Sequence, residues 1–333
     1  MNMQKWLDEI KKTKVKKPMP ILSFPCVSLM GISVKDLTAN SNLQAQGMKM
    51  IADRCDTLAS VSMMDLSVEA EAFGASVRFS EDEVPTVVGA LISSIEDAEE
   101  LSIPEAVAGR CGQYVDAISQ AKELITDRPV FAGVIGPFSL AGRLMDVSEA
   151  MVNCYVEPEM VHITLKKVTN FLISYINEYK KAGANGVVMA EPLAGMLSPA
   201  LAEEFSEPYV REIVESVQDE NFLLIYHNCG DNIHLMTESI LRTGAAAYHF
   251  GNAVAMSEML MKIPSDVVVM GNLDPAGQIR NGTPETVRQA TIEIMSNCCA
   301  YSNFVISSGC DIPPASPWAN IDAFMDAVNE FYK

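Results

Sequence analysis

The chain has 333 residues, 49% hydrophobic, 20% charged and 7% aromatic, which describes a folded protein and excludes disorder, collagen and a small disulfide scaffold. Lys and Arg number 24 against 43 Asp and Glu, a formal charge of −19, and such a surface repels phosphate backbones and anionic lipid, so neither nucleic acid nor a membrane is expected as a partner. No apolar run reaches the roughly 18–20 residues that span a bilayer, no signal core follows the basic N-terminus, and the 8 Cys are scattered like reduced thiols. A cytoplasmic location is expected.

Residues 1–18 read as an N-terminal helical extension. Short, mostly apolar runs then recur at 20–30, 57–64, 129–136, 185–191, 222–228, 246–250, 266–272 and 303–309, the pattern of parallel strands buried on both faces. Between the second and third runs lies a long insertion, 65–128. After Pro158, apolar residues at Val161, Leu165, Val168, Leu172, Tyr175 and Tyr179 predict a helix that closes on Lys180, Lys181 and Gly183. Ser198-Pro199 and Thr283-Pro284 each place a hydroxyl at an N-cap with proline first in the helix. Asp231 is expected to cap a helix running through Ile233, Ile240 and Leu241 to Gly244. Eight strands alternating with helices predict an α/β fold, a (β/α)8 TIM barrel forming one domain over 1–333. A doubly wound sheet is the alternative, and it lacks the glycine-rich phosphate loop such sheets carry.

Function in such a barrel gathers where the strands end. The fifth run ends Tyr226-His227-Asn228-Cys229-Gly230, where His227 and Cys229, two apart, point to the same face. The eighth ends Ser307-Ser308-Gly309-Cys310-Asp311, bringing a second thiol to the same rim. Two thiolates and one imidazole suit zinc, with a fourth tetrahedral position left open; the alternative is a core histidine with two small buried cysteines. His249, ending the sixth strand, reads as a substrate contact or a fourth ligand. Asp65 and Glu191 end strands and are expected to handle substrate, whereas Asp274, followed by proline, reads as a helix cap. Arg143 is an anion contact or half of a surface ion pair. His162 and His234 fall on helices and are expected to be solvated, and the remaining cysteines to pack inertly.

YHNCG and SSGCDIPP, with GPFSLAGRLM, AEP and MGNLDPAG between them, resemble the uroporphyrinogen decarboxylase superfamily from about residue 20 to the C-terminus. The His-x-Cys…Cys set and DLSVEAEAFGA are similar to its zinc-dependent methylcobamide:coenzyme M methyltransferase branch. The resemblance implies that His227, Cys229 and Cys310 hold Zn2+, that Asp65, Glu191 and His249 orient the acceptor, and that Arg143 and Asn272 contact the corrinoid. It implies a methyl transfer from a methylcobamide to a small-molecule thiol. The chain has no D-x-H-x-x-G motif of its own, so the corrinoid is expected to arrive on a carrier protein. Against the decarboxylases, the first strand, ILSFPCVSLMGISVKDL, has no arginine to hold substrate carboxylates, and Cys310 stands where they carry histidine. The alternatives are a tetrahydrofolate acceptor, the decarboxylase reaction itself and a non-catalytic tetrapyrrole- or corrinoid-binding protein.

Overall fold

The computed structural model describes all 333 residues. Seven parallel strands lie side by side in chain order: β1 (Ser60–Val61), β2 (Val130–Ile135), β3 (Gly186–Ala190), β4 (Leu223–Asn228), β5 (Ala247–Phe250), β6 (Val268–Leu273) and β7 (Phe304–Ser308). Helices follow the strands and cover the sheet, as parallel strands require, because both of their faces are apolar. No helix is long and apolar enough to cross a membrane.

Alternate residues divide each strand between two cores. Val61, Phe131, Val188, Ile225, Ala247, Met270 and Val305, drawn from all seven strands, pack into one inner cluster of 18 buried residues. Their strand neighbours face an outer cluster of 79 under the helices. Residues on seven successive strands can share one small cluster only if the sheet curls, so the sheet is an open, curled half-barrel. Helix α1 (Met3–Lys12) closes its floor, with Met3, Trp6, Leu7 and Ile10 in the inner cluster and Trp6 packed 5.8 Å from the Phe131 ring.

The full barrel of eight strands is not formed. The stretch expected as strand one is an extended segment that turns into a short helix, Cys26–Met30. Pro18 and Pro20 remove alternate N–H donors, so this segment cannot build a ladder. It bridges the open edges with isolated bonds instead. Met19 N–H donates to the Ile306 carbonyl at 3.0 Å, Leu58 N–H to the Pro18 carbonyl at 2.9 Å, and Ile21 N–H to Ser308 Oγ at 3.0 Å.

The 65–128 insertion folds into short helices and a hairpin, Ser76–Arg78 against Thr86–Val88, ending in helix Cys111–Leu124. The long helix forms at Pro158–Lys181, the residues at its three-and-four spacing all buried. Ser198 and Thr283 cap their helices through Leu201 N–H and Thr286 N–H. Asp231 does not cap. A single turn at Ile233–Leu235 precedes a separate helix, Thr237–Arg242, and the exposed Asp231 lends only its carbonyl, to His234 Nδ1 at 3.0 Å.

Candidate metal centre

Leu223 and Ile225 of β4 face the inner cluster, so His227, one further step along, points inward at the C-terminal end of the sheet. β4 and β7 are separated by two strands, which in a flat sheet would set them about 14 Å apart. The curl removes that distance: ligand atoms of His227, Cys229 and Cys310 all lie within 4.8 Å of one another, a group able to hold a metal ion. Two glycines make room. A Cβ on Gly251 would meet the Cys229 backbone at 2.5 Å, and one on Gly230 would meet Gly195 at 2.3 Å.

The donor chemistry fits a metal. His227 Nε2 is buried with no hydrogen-bond partner, a costly state for an imidazole nitrogen that nothing engages. Cys229 and Cys310 form a thiol pair in which Cys229 ionises first. The neighbouring Cys310 thiol lowers the pKa of Cys229, while the same contact, with burial, pushes Cys310 up to about 12. Two adjacent thiolates repel each other, and a cation between them removes the repulsion. Of the other six cysteines, Cys26, Cys55, Cys111, Cys154 and Cys298 are buried, and burial raises each thiol pKa, while the half-buried Cys299 lies 3.5 Å from Tyr332 OH.

His249 packs beside His227, and both of its ring nitrogens meet groups of the protein. It is buried, with Nδ1 2.8 Å from His227 Nδ1 and Nε2 2.7 Å from Ser307 Oγ, so both ring nitrogens are engaged. Register explains the meeting, because His227 and His249 are paired positions on neighbouring parallel strands. Burial, and then the neighbouring His227, pull its pKa well below the ordinary value, so the ring is neutral. Ser307 was not singled out from sequence, although it shares the inward parity of Val305.

Three other expected site residues are engaged by groups of the protein itself. Glu191 lies one position past the inward Ala190 and so points outward, where its Oε1 accepts from Ser139 N–H at 3.1 Å. It caps helix Pro137–Met145, whose own N-cap, Gly136, has no side chain to offer. A Cβ on Gly136 would meet the Glu191 side chain at 2.0 Å. Asp65 is enclosed in a buried network: Tyr114 OH donates to Oδ2 at 2.7 Å, Ser67 Oγ donates to Oδ1 at 2.6 Å, and Arg110 pairs with it. Arg110 also reaches Glu71. Neither Arg110 nor Tyr114 was visible as a partner, since they lie 45 and 49 residues downstream. Asn272 spends its amide on the Gly251 and Val254 carbonyls at 2.9 and 2.8 Å, tying the loop after β5 to β6.

Arg143 differs from these. It is half-buried and has neither an ion pair nor a hydrogen bond, and burial lowers its pKa. Asp274 is a cap, accepting from Ala276 and Gly277 N–H. His162 is less solvated than expected, stacking on Phe205 at 4.6 Å and hydrogen-bonding Tyr209.

Residues 21–331 match the uroporphyrinogen decarboxylase (URO-D) family. The chain is 25% identical over 272 residues to the methylcobamide:CoM methyltransferase MtbA of Methanosarcina acetivorans, covering 80% of this chain and 78% of that protein. It is 29% identical over 290 residues to the uroporphyrinogen decarboxylase of Pseudomonas syringae pv. syringae, covering 84% and 80%. In fold it is similar to a methyltransferase from Methanosarcina mazei, with a TM-score of 0.86 at 21% identity over 100% of this chain and 99% of the other. A B12-independent methionine synthase from Shewanella is similar at a TM-score of 0.62 and 11% identity, covering 86% of each chain.

Proposed function

The chain belongs to the uroporphyrinogen decarboxylase family, and within it we propose a zinc-dependent methyltransferase that moves a methyl group from a methylcobamide, delivered by a corrinoid carrier protein, to a thiol such as coenzyme M. The observation that carries this reading is the partnerless, buried Nε2 of His227 beside two thiols. A decarboxylase has no work for such a donor set, and the methylcobamide:CoM methyltransferase among the relatives supports the choice.

His227, Cys229 and Cys310 would supply one nitrogen and two sulfurs, a set that suits zinc and leaves a fourth position for an incoming ligand. Bound there, zinc would keep an acceptor thiol deprotonated near neutral pH, the form that attacks a methyl group on cobalt. A metal held there takes both sulfurs as thiolates, so loading the site should release protons to solvent. The unpaired, half-buried guanidinium of Arg143 is one group available to meet an anionic part of the corrinoid or acceptor. Asp65 and Glu191, committed to Arg110 and to a helix N-terminus, act through the scaffold.

Elemental analysis of the purified protein should find about one zinc per chain. Cys229→Ala, Cys310→Ala and His227→Ala should each lower it while circular dichroism shows an intact fold, because these residues close the sheet's end rather than fill its core. Excess methylcobalamin should lose its methyl–cobalt absorption only when thiol is present, and Cys310→Ala should abolish that loss. Full zinc retention in all three variants would overturn the assignment.

A further inference from the structure

We infer that His249 is a positioning residue for the metal centre: with Ser307 and the Met19 carbonyl it forms a proton-ordered relay that holds His227 in the tautomer whose bare Nε2 faces the two thiols. The inference rests on the proposed metal-binding role of the triad and names what orients it.

The order follows from hydrogen bonding alone, starting at the outer end. A main-chain carbonyl can only accept, so the hydroxyl of Ser307, 2.7 Å from Met19 O, spends its one proton there. His249 Nε2, 2.7 Å from the same hydroxyl oxygen, must then donate to it. A neutral imidazole carries one N–H, so His249 Nδ1 presents a lone pair. His227 Nδ1, 2.8 Å away, must therefore be the donor between the two rings. That leaves His227 Nε2 unprotonated, which is the buried atom with no partner inside the thiol cluster.

The anchor is held in place too. Met19 N–H donates to the Ile306 carbonyl at 3.0 Å, so the proline-flanked segment that stands where an eighth strand was expected fixes the carbonyl that starts the relay. Histidines that ligate metals usually donate their other N–H to a carboxylate or carbonyl, which sets tautomer and orientation. A neutral imidazole in that place adds no third negative charge beside two thiolates. The His249 main-chain carbonyl, 3.3 Å from His227 Nδ1, is a longer second acceptor that survives any side-chain change. Disrupting the relay should therefore weaken metal binding without eliminating it.

The test uses the whole chain, which contains 4 His, labelled with 15N-histidine and freed of metal. His162→Gln and His234→Gln identify the two outer rings. The expected spectrum of the buried pair is His227 with Nδ1–H and a bare Nε2, and His249 with Nε2–H and a bare Nδ1. Ser307→Ala should lose the single His227 tautomer and lower zinc affinity about 10-fold in competition with a chelator, whereas Ser307→Thr, which keeps the hydroxyl, should retain both. An Nε2–H tautomer at His227 in the metal-free wild type would overturn the relay. So would unchanged zinc affinity in both Ser307→Ala and His249→Phe. A wild-type chain that takes up no zinc would instead overturn the proposed function, and the tautomer spectrum would still decide the relay.

Discussion

Glu69 and Glu191 are sealed from solvent on either side of the turn that follows β2, and each spends one oxygen on a backbone N–H there. The second oxygen of each has no partner. Burial pushes Glu191 up to about 8 and Glu69 to about 7. A carboxyl raised in this way keeps its proton in the folded state after the unfolded chain has lost its own. Its contribution to stability is complete below the ordinary carboxyl range and declines as pH rises to about 8, by at most about 1.4 kcal/mol per pH unit per group. Glu191→Gln keeps an acceptor for Ser139 N–H and has nothing to ionise. Urea unfolding at pH 5 and pH 8 should show wild type weakening with pH and the variant weakening less. Equal losses would mean that Glu191 is not the buried acid described, and methyl transfer by the folded variant should be unchanged because the side chain lies outside the sheet. Its placement follows from register, which the sequence did not show: Ala190 pairs with the inward His227, so Glu191, one step further, faces out.

At the scale of elements, seven strands were legible because each is a short apolar run flanked by helical spacing, and seven formed within a few residues of the expected bounds. The first run, 20–30, had the right apolarity but follows Pro18 and opens on Pro20, and the missing donors decide against a ladder. Long-range ion pairing was not legible at all. Arg110 closes on Asp65 and Glu71 across the insertion, a contact with no local signal, so Asp65 read as a free strand-end carboxylate. Removing the cation should expose the cost of that network. Arg110→Ala leaves a buried carboxylate uncompensated and should destabilise the fold by about 3–5 kcal/mol, measured by urea unfolding at neutral pH. A loss under 1 kcal/mol would mean that Asp65 is not buried with a charge. The floor helix makes a separate forecast: Trp6→Ala removes the indole packed on Phe131 beneath the inner cluster and should cost about 3–5 kcal/mol. Zinc content in the surviving folded fraction should not change, because the centre lies at the opposite end of the strands.

At the scale of the whole molecule, the same family frame serves relatives named for two different reactions, and the distribution of charge separates them. Uroporphyrinogen carries eight carboxylates, which a chain of formal charge −19 can hold only with a cluster of free cations at its mouth. Six of the nine arginines are spent elsewhere. Arg54, Arg110, Arg128, Arg211, Arg242 and Arg288 are each tied in an ion pair, and the segment from Pro18 to Met30 contains no cation. Of the unpaired three, Arg143 is half-buried and Arg78 and Arg280 are exposed, and three guanidinia cannot balance eight carboxylates. Conversion of uroporphyrinogen to coproporphyrinogen should therefore be undetectable at enzyme concentrations that demethylate methylcobalamin in a thiol-dependent way. Arg143→Ala should raise the methylcobalamin or thiol concentration needed for half-maximal rate while leaving zinc content at the wild-type level. Measurable decarboxylation by the wild-type protein, with or without zinc, would mean that a cationic surface other than Arg143 receives the substrate, and the methyl-transfer reading would fall with it.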